Sequence, residues 1–214
     1  MHYFFDKMIV KVCGMRDEDN IRALEKIDID WIGFIFYEAS PRYVPEADRF
    51  CAAIQVCSKV KVGVFVNEEF AEISRKTLRY RLNCVQLHGD ETPELCRQVR
   101  CAGYTVIKAF SISSEADLLQ TVAYEPFADY FLFDTKDKER GGTGKRFDWS
   151  ILQAYQGDAP FLLSGGIAPE HLYELSSFRH PKMAGIDLNS RFELAPAIKD
   201  TKKIESFVHQ FKKQ

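Results

Sequence analysis

Two side chains with complementary acid–base chemistry close two apolar runs. Cys13 ends Met8–Cys13, within KVCGMR, and Asp134 ends Tyr130–Asp134, within FLFDT. At the ends of parallel strands a thiol and a carboxyl can face one pocket and act as base and acid. A lone strand cysteine is more often packed core than catalyst. With a free pKa of about 8.5, it is a poor base near neutrality unless a cation lowers that value. Period-2 alternation places such a cation, Lys11, on the same strand face two residues earlier. Asp134 is a candidate proton donor at the end of an apolar strand, or the cap of a turn with Thr135.

These residues need a frame. The apolar runs are Met8–Cys13, Trp31–Phe36, Lys61–Val66, Cys84–Leu87, Thr105–Phe110, Tyr130–Asp134, Phe161–Ser164 and Met183–Leu188. Near-continuous apolar strands fit a sheet covered on both faces. Helical spacing lies between them: Ile21, Ala23, Leu24 and Ile27, then Phe70, Ile73, Thr77 and Tyr80. Thr92-Pro93, Ser114 and Ala168-Pro169 read as helix starts, proline suiting the first turn. The strand spacing of about 25 residues is near the minimum for a βα unit. Eight such units predict a (β/α)₈ TIM barrel of the α/β class, a single compact domain over 1–214 with a short N-terminal extension at 1–7. An open doubly wound sheet would carry a glycine fingerprint after strand 1, where Cys-Gly-Met-Arg stands instead.

Composition narrows the function classes. In 214 residues, 29 basic and 31 acidic side chains leave a net charge of −2. Their interspersion argues against a nucleic-acid or membrane-surface role. The lysines at 202, 203, 212 and 213 alternate with apolar residues, as on the wet face of a terminal helix. Six cysteines lack metal-ligand spacing and read as reduced, mostly buried thiols. No metal site is expected. MHYFFDKM is too short and acidic for a signal peptide, and no apolar run reaches about 18 residues, so a cytoplasmic location is expected.

In a barrel the site forms at the carboxyl ends of the strands. Those ends offer Cys13, Asn67, His88, Asp134, Ser164-Gly165-Gly166 and Asp187-Leu188-Asn189-Ser190. Lys11, Gln86 and Lys108 are polar within apolar strands, which predicts that they face the interior. The Ser164–Ile167 turn, with Ala168-Pro169 after it, suits a phosphate, because glycine N–H groups can approach an anion. Asn189, Ser190 and Arg191 add further donors from loop 8. Arg42, in SPRYV, suits a carboxylate bidentately or a structural salt bridge. His88 suits a ligand or a satisfied strand end. The segment 139–145 (ERGGTGK) fails as a P-loop, having Glu139 at the first glycine position, and reads as a closing loop.

Taken together, KVCGMR (11–16), GFIFYEASPRYV (33–44), VGVFVNE (62–68), VQLHGDE (85–91), LFDTK (132–136), GGTGKRFDW (141–149), LLSGGI (162–167) and GIDLNSRFE (185–193) resemble the phosphoribosylanthranilate isomerase family of tryptophan biosynthesis. The resemblance implies a cofactor-free Amadori rearrangement of N-(5-phosphoribosyl)anthranilate by a monomer or homodimer. It makes Asp134 the general acid, Cys13 the base and Arg42 the clamp for the substrate carboxylate. It also implies a phosphate shell of Gly165, Gly166, Asn189, Ser190 and Arg191, with Lys11, His88 and Asp187 elsewhere in the pocket. Family members often carry Ser-Ser-Gly where this chain has Asn189-Ser190-Arg191, which leaves the third phosphate donor open. An epimerase-like phosphosugar barrel and a non-catalytic phosphosugar-binding module are the alternatives. The metal-dependent epimerases need more strand-end histidines than His88 alone.

Overall fold

The computed structural model describes residues 8–135 and 148–213. Eight parallel strands close into a barrel in sequence order. They are β1 (Ile9–Val12), β2 (Trp31–Ile35), β3 (Val60–Phe65), β4 (Cys84–Leu87), β5 (Thr105–Ile112), β6 (Tyr130–Thr135), β7 (Phe161–Leu163) and β8 (Met183–Leu188). Each overlaps a predicted run, with ends displaced by up to two residues. Pairing of β1 with β8 closes the ring and sets Lys11 beside Asp187.

The connecting layer is less uniform. Regular helices are α1 (Glu18–Glu25), α2 (Asp48–Val56), α3 (Phe70–Tyr80), α4 (Pro93–Cys101), α5 (Leu172–Ser177) and α6 (Thr201–Lys212). Tighter 3₁₀ turns cover Glu115–Tyr124, Trp149–Ala154 and Pro169–His171. Local chemistry sets several starts. Asp17 accepts from the N–H of Asn20 at 2.9 Å, and Thr92 accepts from Leu95 ahead of Pro93. α3 buries Ile73, Thr77 and Tyr80, as its spacing predicts. α6 buries Ile204, Phe207, Val208 and Phe211 and leaves Lys202 and Lys213 wet. No helix among the described residues is long and apolar enough to cross a membrane.

Two layers of core follow from strand alternation. The barrel interior packs Trp31, Val62, Cys84, Ile107, Ala109, Leu132 and Leu162. A larger cluster lies between strands and helices, with Val10, Val12, Ile32, Phe34, Phe131 and Phe133 facing out. Lys11 and Gln86 are interior and buried, as expected. Lys108 is not interior. Its neighbours Ile107 and Ala109 fill the barrel, so alternation turns Lys108 toward the helices. Its burial there is offset by Glu91 at 2.9 Å, by the carbonyls of Leu87, Gly89 and Ala109, and by the faces of Phe110 and Tyr124.

One element that the apolar pattern does not predict follows β8. Residues Glu193–Ala195 (β9) and Ile198–Lys199 (β10) form a small antiparallel hairpin. It brings two charged side chains, Glu193 and Lys199, to the mouth of the barrel.

Candidate active site

The site begins with the β1–β8 register. Lys11 and Asp187 are direct partners on adjacent strands, so their side chains meet inside the barrel. Lys11 Nζ lies 3.0 Å from Asp187 Oδ1, with both side chains almost fully buried. The contact is an ion pair rather than an aligned hydrogen bond, since neither atom has a well-directed partner among the described residues. Cys13, one layer above Lys11, is 3% exposed. Burial pushes its thiol above the ordinary range, Lys11 pulls it back, and Asp187 pushes it up again, for a net rise. Proximity to Lys11, expected to lower the thiol pKa, therefore does not overcome burial. Burial opposes the Lys11 charge as well, but Asp187 and Cys13 more than offset it and the ammonium is held. Asp187 is raised by burial, against the pull of Lys11, with Asp134 adding repulsion.

Asp134 connects to a second chain of contacts. Its Oδ2 lies 3.4 Å from His88 Nε2, and His88 Nδ1 lies 2.7 Å from Gln86 Nε2. If Gln86 donates, as its amide is oriented, the proton of a neutral His88 sits on Nε2 and points at Asp134. The His88 turn is fixed by Glu91, whose carboxylate accepts from the N–H groups of Asn67 and Gly89 and pairs with Lys108. His88 thus has an acidic partner from another strand, which the sequence pattern left undecided.

A cavity of about 220 Å³ opens beside this chain of contacts. Asp134 and Asp187 line it together with the Ser164–Ile167 turn and Asn189, Ser190 and Arg191. The two glycines have positive φ, +81° at Gly165 and +67° at Gly166, a conformation that side chains resist. The N–H groups of Gly165, Gly166 and Ile167 reach no acceptor among the described residues, so this turn can bind an anion. A regular helix does not follow at once. Pro169–His171 makes one 3₁₀ turn first, and His171 accepts from the N–H of Ala168.

Cys13 is absent from that cavity wall. It is covered from two sides. A Cβ on Gly33 would stand 2.7 Å from the sulfur, so the missing side chain makes room for the thiol. A Cβ on Gly14 would stand 2.6 Å from Cδ of Arg42, so the arginine stem crosses directly over loop 1. The Arg42 guanidinium is already engaged. Its Nε and Nη2 donate to the two oxygens of Glu193 at 2.8 and 2.6 Å. The salt-bridge alternative for Arg42 is therefore realised, while Nη1 makes no hydrogen bond among the described residues.

Lys199 completes this cluster. The side chain is fully buried, and its Nζ donates to Glu193 Oε1 and to Asn189 Oδ1, both at 2.7 Å. Burial depresses its pKa and the Glu193 carboxylate only partly restores it. The Asn189 side chain is thus turned to Lys199, and its backbone is the part left for the cavity. Sequence reasoning passed over Glu193, Lys199, Glu91 and Gly33. The visible signal was a pair of charges, Glu193 and Lys199, spaced through the apolar stretch FELAPAIK.

The expected loop at 139–145 and the extension at 1–7 lie outside the described residues. Among the described residues no group of three or more His, Cys, Asp or Glu side chains is arranged to hold a metal ion. A larger cavity, about 330 Å³, lies between the start of α1, α2 and β10, lined by residues such as Arg16, Arg49 and Phe50. It too lacks the thiol, and unlike the smaller cavity it holds none of the strand-end acids.

Comparison with known proteins identifies the family. The family model described as N-(5'-phosphoribosyl)anthranilate (PRA) isomerase matches residues 10–210. The N-(5'-phosphoribosyl)anthranilate isomerase of Parabacteroides distasonis is 50% identical over 206 residues, covering 95% of this chain and 93% of that protein. The crystal structure of phosphoribosyl anthranilate isomerase from Thermotoga maritima superposes with a TM-score of 0.84 at 35% identity, covering 96% of this chain and 98% of that one. A phosphoribosyl anthranilate isomerase in complex with reduced 1-(o-carboxyphenylamino)-1-deoxyribulose 5-phosphate gives 0.81 at 32% identity, covering 96% and 98%. With a family model spanning nearly the whole barrel and half the residues shared with a full-length relative, this chain belongs to the N-(5'-phosphoribosyl)anthranilate isomerase family, enzymes of tryptophan biosynthesis.

Proposed function

We propose that Cys13 and Asp134 perform the Amadori rearrangement of N-(5-phosphoribosyl)anthranilate in this barrel. Asp134 gives its proton to the furanose ring oxygen, and the ring opens to a protonated Schiff base. Cys13, as thiolate, takes the proton from C2′, and the C2′–H electrons move into the iminium, leaving an enolamine. Tautomerisation gives the aminoketose, 1-(o-carboxyphenylamino)-1-deoxyribulose 5-phosphate. The iminium is the electron sink, so the chemistry needs neither metal nor organic cofactor. It also adds a positive charge which, with Lys11, favours the thiolate that burial opposes.

Anchoring follows the shape of the substrate. The Gly165-Gly166 turn and the Asn189-Ser190-Arg191 segment hold the phosphate, and Arg42 holds the anthranilate carboxylate. Asp187 keeps Lys11 in place, and His88 orients the Asp134 carboxyl. The observation that carries this reading is the shared cavity: the expected acid, Asp134, and both anion-binding turns line one space. A cavity holding an acid at one wall and a phosphate cradle at another fits a phosphosugar. A non-catalytic binding module has no use for the Lys11–Asp187 pair beneath a thiol.

The decisive assay follows the decay of anthranilate-type fluorescence on freshly made substrate. Cys13→Ala and Asp134→Asn are expected to lose about 10²–10⁴ in turnover with unchanged folding. Near-normal turnover in either variant removes that residue from its role.

A further inference from the structure

Arg42 poses a question that its proposed role does not answer. A guanidinium meant for a ligand carboxylate already holds one from the protein, Glu193. Either Glu193 is a stand-in that the substrate displaces, or it is a fixed partner that aims the arginine.

The partners of Glu193 decide between these. Its Oε1 accepts from Arg42 Nε at 2.8 Å, from Lys199 Nζ at 2.7 Å and from the N–H of Ala197 at 3.2 Å. Its Oε2 accepts from Arg42 Nη2 at 2.6 Å. Swinging Glu193 away would strand Lys199, which is fully buried and whose other side-chain acceptor is the neutral amide of Asn189. An uncompensated buried cation is far more costly than one exchanged hydrogen bond. Glu193 is therefore fixed, and the Nη1 side of Arg42 is what remains for a ligand.

The same cluster spans three loops. Arg42 belongs to loop 2 and crosses Gly14 of loop 1, whose added Cβ would also stand 3.0 Å from Asn189 Oδ1. Glu193 and Lys199 sit on the hairpin after β8. Lys199 also anchors that hairpin to α1, its backbone N–H and C=O both bonding the Asn20 amide.

We propose that Glu193 and Lys199 are positioning residues for substrate binding. They hold Arg42 over Gly14 beside Cys13, so that its guanidinium is preset for the substrate carboxylate. This rests on the reading of Arg42 as the carboxylate anchor. Neither residue touches the reacting atoms; in binding, both act through Arg42.

Competitive inhibition tests this with two ligands. One is the reduced product analogue, reduced 1-(o-carboxyphenylamino)-1-deoxyribulose 5-phosphate; the other is its counterpart lacking the ring carboxylate. Glu193→Gln is expected to weaken the carboxylate-bearing ligand about tenfold and the other by less than about twofold, the size of one lost coupling. Lys199→Met should reproduce that pattern, and Glu193→Asp should fall between wild type and Glu193→Gln. In an Arg42→Ala background, Glu193→Gln should add nothing. Equal weakening of both ligands would show a merely structural role and overturn the proposal, as would unchanged binding of the carboxylate-bearing one. If Arg42→Ala itself leaves both ligands unaffected, the anchor reading fails instead, and the two failures are told apart. Should Glu193→Gln not fold, Glu193→Asp measured with the two ligands separates the same outcomes.

Discussion

Lys11 and Asp187 meet 3.0 Å apart inside the barrel, on neighbouring strands, one layer from the Cys13 sulfur. The pair places opposite charges near one thiol, and the two act on it in opposite senses: Lys11 lowers its pKa and Asp187 raises it.

Lys11→Met should therefore push the Cys13 pKa higher, and Asp187→Asn should bring it down. Ultraviolet titration of the thiolate, taken as the difference from Cys13→Ser in each background, reads this directly. Because activity needs the thiolate, the acid limb of kcat/KM should move to higher pH in Lys11→Met. Lys11→Met also leaves Asp187 buried without its partner, at a cost of about 3–5 kcal/mol. Shifts of the same sign in the two variants would dismiss this electrostatic account.

Glycines 33 and 14 set the space around the thiol. Gly33 lies across from Cys13, where a methyl group would stand 2.7 Å from the sulfur and 3.1 Å from the cysteine Cα. The backbone atom cannot yield, so Gly33→Ala should shift the thiol and lower kcat by about 10²-fold, the penalty of a misplacement near 1 Å. Gly14 has φ +80° and meets the flexible Arg42 stem instead. Gly14→Ala should displace that stem and act mainly on KM. Paired measurements of kcat and KM check this split; a Gly33→Ala enzyme with normal kcat would show that the sulfur has more room than its contacts indicate.

Much of this is legible in the sequence because it depends on local pattern. Strand periodicity places Lys11 and Cys13 on one face, and the repeat length places Asp134, His88 and the Gly165-Gly166 turn at one end of one barrel. Lys108 departs from expectation because a polar residue in an apolar strand need not face the interior when a partner waits outside; Glu91 supplies it. The fate of Arg42 is open in the sequence because its partner, Glu193, lies 151 residues away on a hairpin without a regular apolar pattern. The 3₁₀ turns at Glu115–Tyr124 and Trp149–Ala154 escape for a related reason, since the helical spacing there is too short or irregular to specify the turn type.

Glu193 also predicts how the protein responds to acid. Burial raises its carboxyl pKa, but the hydrogen bonds from Arg42 and Lys199 and their charges pull it down further, for a net fall. A carboxyl lowered by folding contributes stability that is fully present above its unfolded value, about 4.3, and lost as pH falls through the folded value. Wild type should therefore exceed Glu193→Gln in unfolding free energy at neutral pH, by about 3 kcal/mol for a broken buried pair. The gap should hold down to the unfolded value and close below it, as the wild-type carboxyl takes up its proton and loses the advantage over glutamine. Urea unfolding of both proteins from about pH 7 to about pH 3 measures this. A gap that stays constant across that range would mean that Glu193 stabilises by packing and not by charge, and the buried cations would need another counter-ion.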